Sequence, residues 1–223
     1  MPDGRLFIGN RRYSSWSLRG WIAVRLAGLD VEEVVLPLSG GDTPAVRALP
    51  SRQVPYLEHR GNQVWESLAI AEYCAEHKPG LWPEDAAARS FARTISAEMH
   101  AGFRALRTAL PMNLGRESRP IPLTPEVEAD IARVEHLWES ARARFGPEAS
   151  GGGGPYLFGA ALTLADAMYA PVVTRFLSYA APVSPAARAY CEAVRNHPLV
   201  AAWHEAAARE PEAWRLDKYE QLA

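Results

Sequence analysis

Cysteine is scarce in this chain: there are two in 223 residues, Cys74 and Cys191, both within helix-like segments. Neither belongs to a CxxC pair or stands at Cys/His ligand spacing, which excludes a disulfide framework and a structural zinc site. The six histidines are scattered, with no HExxH or HxxxH pair, so no metal is expected at the site. An excess of one charge is also missing, since 24 Lys and Arg stand against 26 Asp and Glu for a formal net charge of −2. Without a clustered positive field the chain is not a dedicated nucleic-acid binder or a polybasic membrane-surface protein. No apolar run approaches the ~18 to 20 residues that span a bilayer. The opening MPDGRLFIGNRRY has too short an apolar stretch for a signal-peptide core, so a cytoplasmic location is expected.

What the chain does have is material for a core: 48% hydrophobic residues, 7 Trp and 22% charged residues. A chain of this length should bury roughly 70% of its unfolded surface, and at ~150 residues per domain it allows one large domain or two small ones. Two textures divide it. From Arg5 to about Gly80, strand-like runs alternate with helix-like ones in the order β-α-β-(short α)-β-β-α, with a hairpin turn at HRGNQ where Gly61 and Asn62 supply positive φ. From Glu84 onward the pattern is helical and Ala-rich. Val127, Ile131, Val134, Leu137, Trp138 and Ala141 recur at helical spacing as one buried stripe. One long helix is expected from Asp85 to Leu110, and the run Gly151 to Gly154 reads as a flexible helix-to-helix loop. The fold class is therefore α/β plus all-α, with domains at 1–80 and 86–223.

Three stretches carry chemistry. Tyr13-Ser14-Ser15-Trp16-Ser17 stands between the first strand and the first helix, where hydroxyls and the positive helix end favour an anion. One serine suffices as an N-cap, and three exceed that need. Val54-Pro55 opens a strand, where a cis proline would leave Val54 to pair with an extended peptide. Glu66-Ser67 opens a helix and offers a carboxylate for an ammonium and a helix N-terminus for a carboxylate. Taken alone, it reads first as a plain capped helix start.

Together, in this order, these stretches resemble the glutathione transferase superfamily, whose members join a thioredoxin-like domain to a helical-bundle domain. The resemblance continues through Leu81-Trp82-Pro83-Glu84-Asp85 and through Leu162-Thr163-Leu164-Ala165-Asp166, which looks like the family's buried capping box. The phrase RYSSWSLRGWIAVRLAGLD is closest to serine-type bacterial members and to the zeta class. That class reads Ser-Ser-Cys where this chain has Ser14-Ser15-Trp16, a departure that bears on isomerase chemistry and leaves glutathione binding untouched.

The resemblance implies a detoxifying transferase that takes glutathione as cosubstrate and acts as a homodimer. Ser14 would donate to the glutathione sulfur, with Ser15 the alternative donor. Val54 and Pro55 would hold the cysteinyl backbone, Glu66 and Ser67 the γ-glutamyl end, and Arg52 the glycyl carboxylate unless it is a solvated loop arginine. A small electrophile would sit between the domains against Trp16, Met99, Phe103, Arg107, Asn113 and Arg175. Two other readings stand beside this one: a glutathione-dependent cis-trans isomerase of maleyl-type diacids, and a non-enzymatic ligand-binding or interaction protein on the same fold. Because serine replaces the cysteine of redox members, thiolate addition or substitution is expected rather than disulfide reduction.

Overall fold

The computed structural model describes residues 2–146 and 154–221, so most of the glycine run lies outside the described residues. The N-terminal half is a four-stranded sheet of β1 (Gly4–Gly9), β2 (Val31–Leu36), β3 (Tyr56–His59) and β4 (Asn62–Val64), in the order β2-β1-β3-β4. β2 runs parallel to β1, while β3 and β4 are antiparallel to their neighbours. Central β1 buries Leu6 and Ile8 completely, as a strand paired on both edges should. Helices α1 (Ser15–Ala27), α2 (Pro44–Arg47) and α3 (Ser67–His77) complete a thioredoxin-like domain.

The hairpin differs from expectation in one residue. Positive φ falls on Arg60 (48°) and Gly61 (81°), while Asn62 is already the first residue of β4, paired with His59. Arg60 tolerates the left-handed conformation because Asp3 holds it, accepting from Nε at 2.9 Å and Nη2 at 2.6 Å, while the Asp3 carbonyl takes its N–H at 3.0 Å.

The second half is helical: α4 (Ala86–Ala101), α5 (Arg104–Ala109), α6 (Pro125–Phe145), α7 (Leu164–Ser178), α8 (Pro185–Asn196) and α9 (Pro198–Ala208), followed by a 3₁₀ turn at Glu212–Trp214 and the short α10 (Asp217–Glu220). The expected buried stripe of α6 is buried at all six positions. The single helix expected from Asp85 to Leu110 is instead two. Gly102 N–H closes α4 on the Glu98 carbonyl at 2.8 Å, and Phe103 turns left-handed at φ 57°. α5 then starts where Asp130 Oδ2, reaching from α6, accepts Leu106 N–H at 3.0 Å. That acceptor lies 24 residues away in sequence, so local periodicity carries no trace of it.

The two halves share one hydrophobic cluster running from Leu6 and Ile22 through Ile70 to Ile95, Trp138 and Trp203. α1 packs between α3 and α7. Arg19 of α1 donates from Nε to the Met168 carbonyl at 2.9 Å, and Trp203 of α9 donates from Nε1 to the Arg11 carbonyl at 3.1 Å. The chain from Asn10 to Ser14 is thereby held between the halves.

Candidate functional site

The loop after β1 delivers the serines. Ser14 is the N-cap of α1: its Oγ accepts Ser17 N–H at 3.3 Å and donates to Ser17 Oγ at 2.8 Å, and Ser17 Oγ accepts Gly9 N–H at 2.9 Å. Ser14 is buried, with 6% exposure. Ser15 is half-buried, and its hydroxyl has no hydrogen-bond partner among the described residues. Both line the interdomain cleft.

Gly20, one face of α1 further on, lets the helix close on Pro55. A Cβ there would meet the proline ring at 2.8 Å. The Val54-Pro55 bond is cis. Among the described residues the Val54 backbone N–H and carbonyl are unpaired, while the ladder to β4 starts only at Leu57. Val54 thus presents a free strand edge to the cleft.

At the start of α3, Glu66 occupies the N-cap position but makes no side-chain cap, and Ser67 is fully buried behind it with Oγ 3.5 Å from Glu66 Oε2. The helix N-terminus is therefore left open, which separates it from an ordinary capped start. Val54, Pro55, Glu66 and Ser67 line a cavity of about 410 Å³ with Trp16 and His100. His100, from α4, puts Nε2 3.1 Å from Glu66 Oε2 and lies edge-on to Trp16 with ring centroids 5.0 Å apart. Burial holds its pKa below the ordinary histidine value against the pull of Glu66, with Arg19 and Arg107 adding to the depression.

Trp16 is also the wall of a second cavity, of about 500 Å³, which it shares with Ser14, Ser15, Arg104, Arg107 and Arg175. The guanidiniums of Arg19 and Arg107 sit over the Trp16 ring, 4.7 and 4.6 Å from its centroid. Arg175 is buried, donating from Nε to Leu110 and from Nη1 to Pro171 carbonyls. Burial, then the other arginines, pushes Arg19 down to about 9 and Arg175 to about 10, so both stay cationic at neutral pH. Among the described residues none of Arg19, Arg104, Arg107 and Arg175 forms an ion pair, and no Asp or Glu lines this cavity.

The structure thus gathers Ser14, Ser15, Trp16, Val54, Pro55, Glu66, Ser67, Arg107 and Arg175 around two adjoining cavities. Four other expected positions lie elsewhere. Met99 is fully buried because its face of α4 packs into the core, and Phe103 forms the buried left-handed turn between α4 and α5 instead of continuing the helix. Asn113 is buried, with Nδ2 donating to the Tyr219 carbonyl and to Glu220 Oε1, so it anchors the chain after α9. Arg52 is exposed on a left-handed turn and lines neither cavity, as a solvated loop arginine does. Sequence reasoning missed His100 and Arg104. His100 is one residue beyond Met99, and one residue is a 100° rotation on a helix.

The thiols of Cys74 and Cys191 are buried and pushed up to about 12, so neither supplies a reactive thiolate. Among the described residues no cluster of His, Cys, Asp and Glu could hold a metal, and no helix is long and apolar enough to cross a membrane.

A thioredoxin-like domain with a cis proline beside an open helix start, fused to a helical domain across a cleft, defines the class of fold. The pattern of the glutathione S-transferase N-terminal domain matches residues 13–77, and that of the glutathione S-transferase C-terminal domain matches residues 85–206. The chain belongs to the glutathione S-transferase family. It is 27% identical over 210 residues to glutathione S-transferase L3 of Arabidopsis thaliana, covering 90% of this chain and 79% of that protein. It is 28% identical over 193 residues to the maleylacetoacetate isomerase of Rattus norvegicus, covering 83% and 84%. Among solved structures, a glutathione transferase homolog from Burkholderia with bound glutathione superimposes with a TM-score of 0.68 at 21% identity, over 93% of this chain and 99% of that one.

Proposed function

We propose that the protein is a glutathione transferase in which the Ser14-Ser15 pair stabilises the thiolate of glutathione for attack on a small, carboxylate-bearing electrophile. Residues 1–80 bind glutathione, residues 86–223 complete the electrophile site, and two copies pair as a cytoplasmic homodimer. The observation that carries the reading is the cavity in which the unpaired Val54 backbone faces the uncapped start of α3. An extended peptide adds there as a strand, and its terminal carboxylate and ammonium meet the helix N-terminus with Ser67 and the Glu66 carboxylate.

The thiol then lies toward Trp16 and the serines. A thiol with a pKa near ~8.5 is mostly protonated at neutral pH, and each unit of lowering corresponds to ~1.4 kcal/mol of preferential anion stabilisation. A hydroxyl donor and the start of α1 together supply stabilisation of that order. The thiol proton leaves to solvent. A C–S bond forms as a leaving group departs, or as a double bond takes up a proton. Isomerisation of an unsaturated diacid would use the same thiolate, adding it and then expelling it, and relatives named as isomerases favour that as the second reading.

The carboxylate preference rests on Arg104, Arg107 and Arg175 facing one cavity with no acidic group beside them. Arg175 is buried and Arg107 half-buried, while Arg104 is exposed at the rim; guanidiniums withdrawn from water without counter-charges are costly, and an anionic substrate relieves that cost. Calorimetry with glutathione tests the site. Glu66→Ala with Ser67→Ala should weaken binding by about tenfold or more, since two charge-assisted contacts are lost. Unchanged affinity would assign glutathione elsewhere.

A further inference from the structure

His100 belongs to the helical half, yet its imidazole sits on the carboxylate that the glutathione reading assigns to the ligand's ammonium. Nε2 lies 3.1 Å from Glu66 Oε2, the oxygen that Ser67 Oγ also faces, while Glu66 Oε1 has no partner among the described residues. The ring is wedged edge-on to Trp16, and its Nδ1 is buried without a partner among the described residues. A neutral ring in this position donates one N–H to Glu66, fixes the carboxylate, and leaves Oε1 and the negative charge for an incoming cation. A protonated ring cancels that charge. The two states therefore differ in what Glu66 offers to a ligand.

We propose that His100 is a positioning residue for the glutathione site: neutral, it orients Glu66 toward the γ-glutamyl ammonium; protonated, it competes with that ammonium for the same carboxylate. The proposal rests on the assignment of Glu66 to glutathione. The charged groups facing the ring are Glu66 from the N-cap position of α3, Arg19 from α1 and Arg107 from α5. The two arginines and burial favour the neutral ring, and Glu66 favours the charged one. Positioning thus prevails at neutral pH and competition appears only on acidification, below the ordinary histidine range. Glutathione affinity should then fall with pH through a residue that need not touch the ligand.

The test uses S-methylglutathione, whose capped thiol removes sulfur ionisation from the measurement, and its des-amino analogue, which lacks the ammonium. Calorimetry on the full chain between pH 7.5 and 5 should show S-methylglutathione binding weakened about two- to fivefold by acid, the range for a partly exposed ion pair. The des-amino analogue should show no such loss. His100→Gln keeps a donor toward Glu66 but carries no charge, so its affinity should vary little over the same range. The imidazole resonances of His100 should also titrate at lower pH in Glu66→Gln than in the wild type, a readout independent of ligand. An acid dependence that persists in His100→Gln, or one shared by the des-amino analogue, overturns the proposal while leaving the glutathione site standing. Failure of the wild type to bind S-methylglutathione at pH 7.5 overturns the site assignment, and this inference with it.

Discussion

The two adjacent serines are not equivalent. Ser14 Oγ is held at the N-cap by the Ser17 N–H, and its proton points at Ser17 Oγ; Ser15, first in the helix, has a hydroxyl engaged by no other described residue. A fixed oxygen with a rotatable proton costs little to turn toward a thiolate, which favours Ser14; an unengaged donor on the same cavity wall is the competing claim of Ser15. Titrating thiolate absorbance in the binary complex separates them. Ser14→Ala should return the thiol pKa of bound glutathione upward by about one unit, the amount that ~1.4 kcal/mol of lost stabilisation corresponds to. If only Ser15→Ala does so, the two roles are exchanged. Neither cysteine can substitute for the pair, because both thiols are buried and pushed up to about 12.

At the scale of elements, the best-anchored helix start is that of α7. The Asp166 carboxylate accepts the Thr163 N–H at 2.8 Å and its hydroxyl at 2.8 Å, Leu157 N–H at 3.1 Å and Tyr190 hydroxyl at 3.0 Å. Burial raises its pKa, and these donors oppose the rise. Asp166→Ala would orphan several buried donors and should destabilise the protein by about 2 to 4 kcal/mol. Denaturant unfolding measures it; a mutant of normal stability with lost turnover would instead make Asp166 a functional acid. This box was legible in the sequence because Thr163 and Asp166 stand three apart, and the strands, α1, α3 and the α6 stripe were legible for the same local reason. The break at Gly102-Phe103 was not, since the acceptor that starts α5 is Asp130 on another helix. Treating Asp85 to Leu110 as one helix put Phe103 on a helical face with Arg107, whereas it forms the turn; Met99 and His100 precede the break, and which of them faces the cleft is decided by packing the sequence does not display. The serine, Val54-Pro55 and Glu66-Ser67 stretches were readable as local patterns; of the arginines that share a cavity with the serines, Arg107 and Arg175 were expected from the sequence, while Arg104 became visible only where α5 and α7 meet in the fold.

For the molecule as a whole, one core joins both halves, so stability should respond to pH as a single property. Of six histidines, His59, His100, His197 and His204 are held below the ordinary value chiefly by burial, His204 at about 4. The folded protein therefore binds fewer protons than the unfolded chain below pH ~6.5, and stability present above that pH is lost as it falls. Denaturant midpoints should drop between pH 7.5 and pH 5 by the equivalent of about 1 to 2 kcal/mol, after discount for solvent screening. His204→Gln should flatten part of that slope, and an unchanged slope would place its cause in other groups.

The segment after α9 returns across the molecule to the loop that carries Ser14. Tyr13 hydroxyl accepts Leu216 N–H at 3.2 Å and bonds to Glu220, Asn10 Nδ2 donates to the Trp214 carbonyl at 3.2 Å, and Tyr219 lines the serine cavity. For anyone engineering this protein, the segment around Tyr219 is thus a wall of the serine cavity, remote in sequence though it is. A label or tether placed on that segment pulls on the loop that carries the serines, whereas the exposed hairpin at Arg60-Gly61 offers an attachment point with no residue in either cavity.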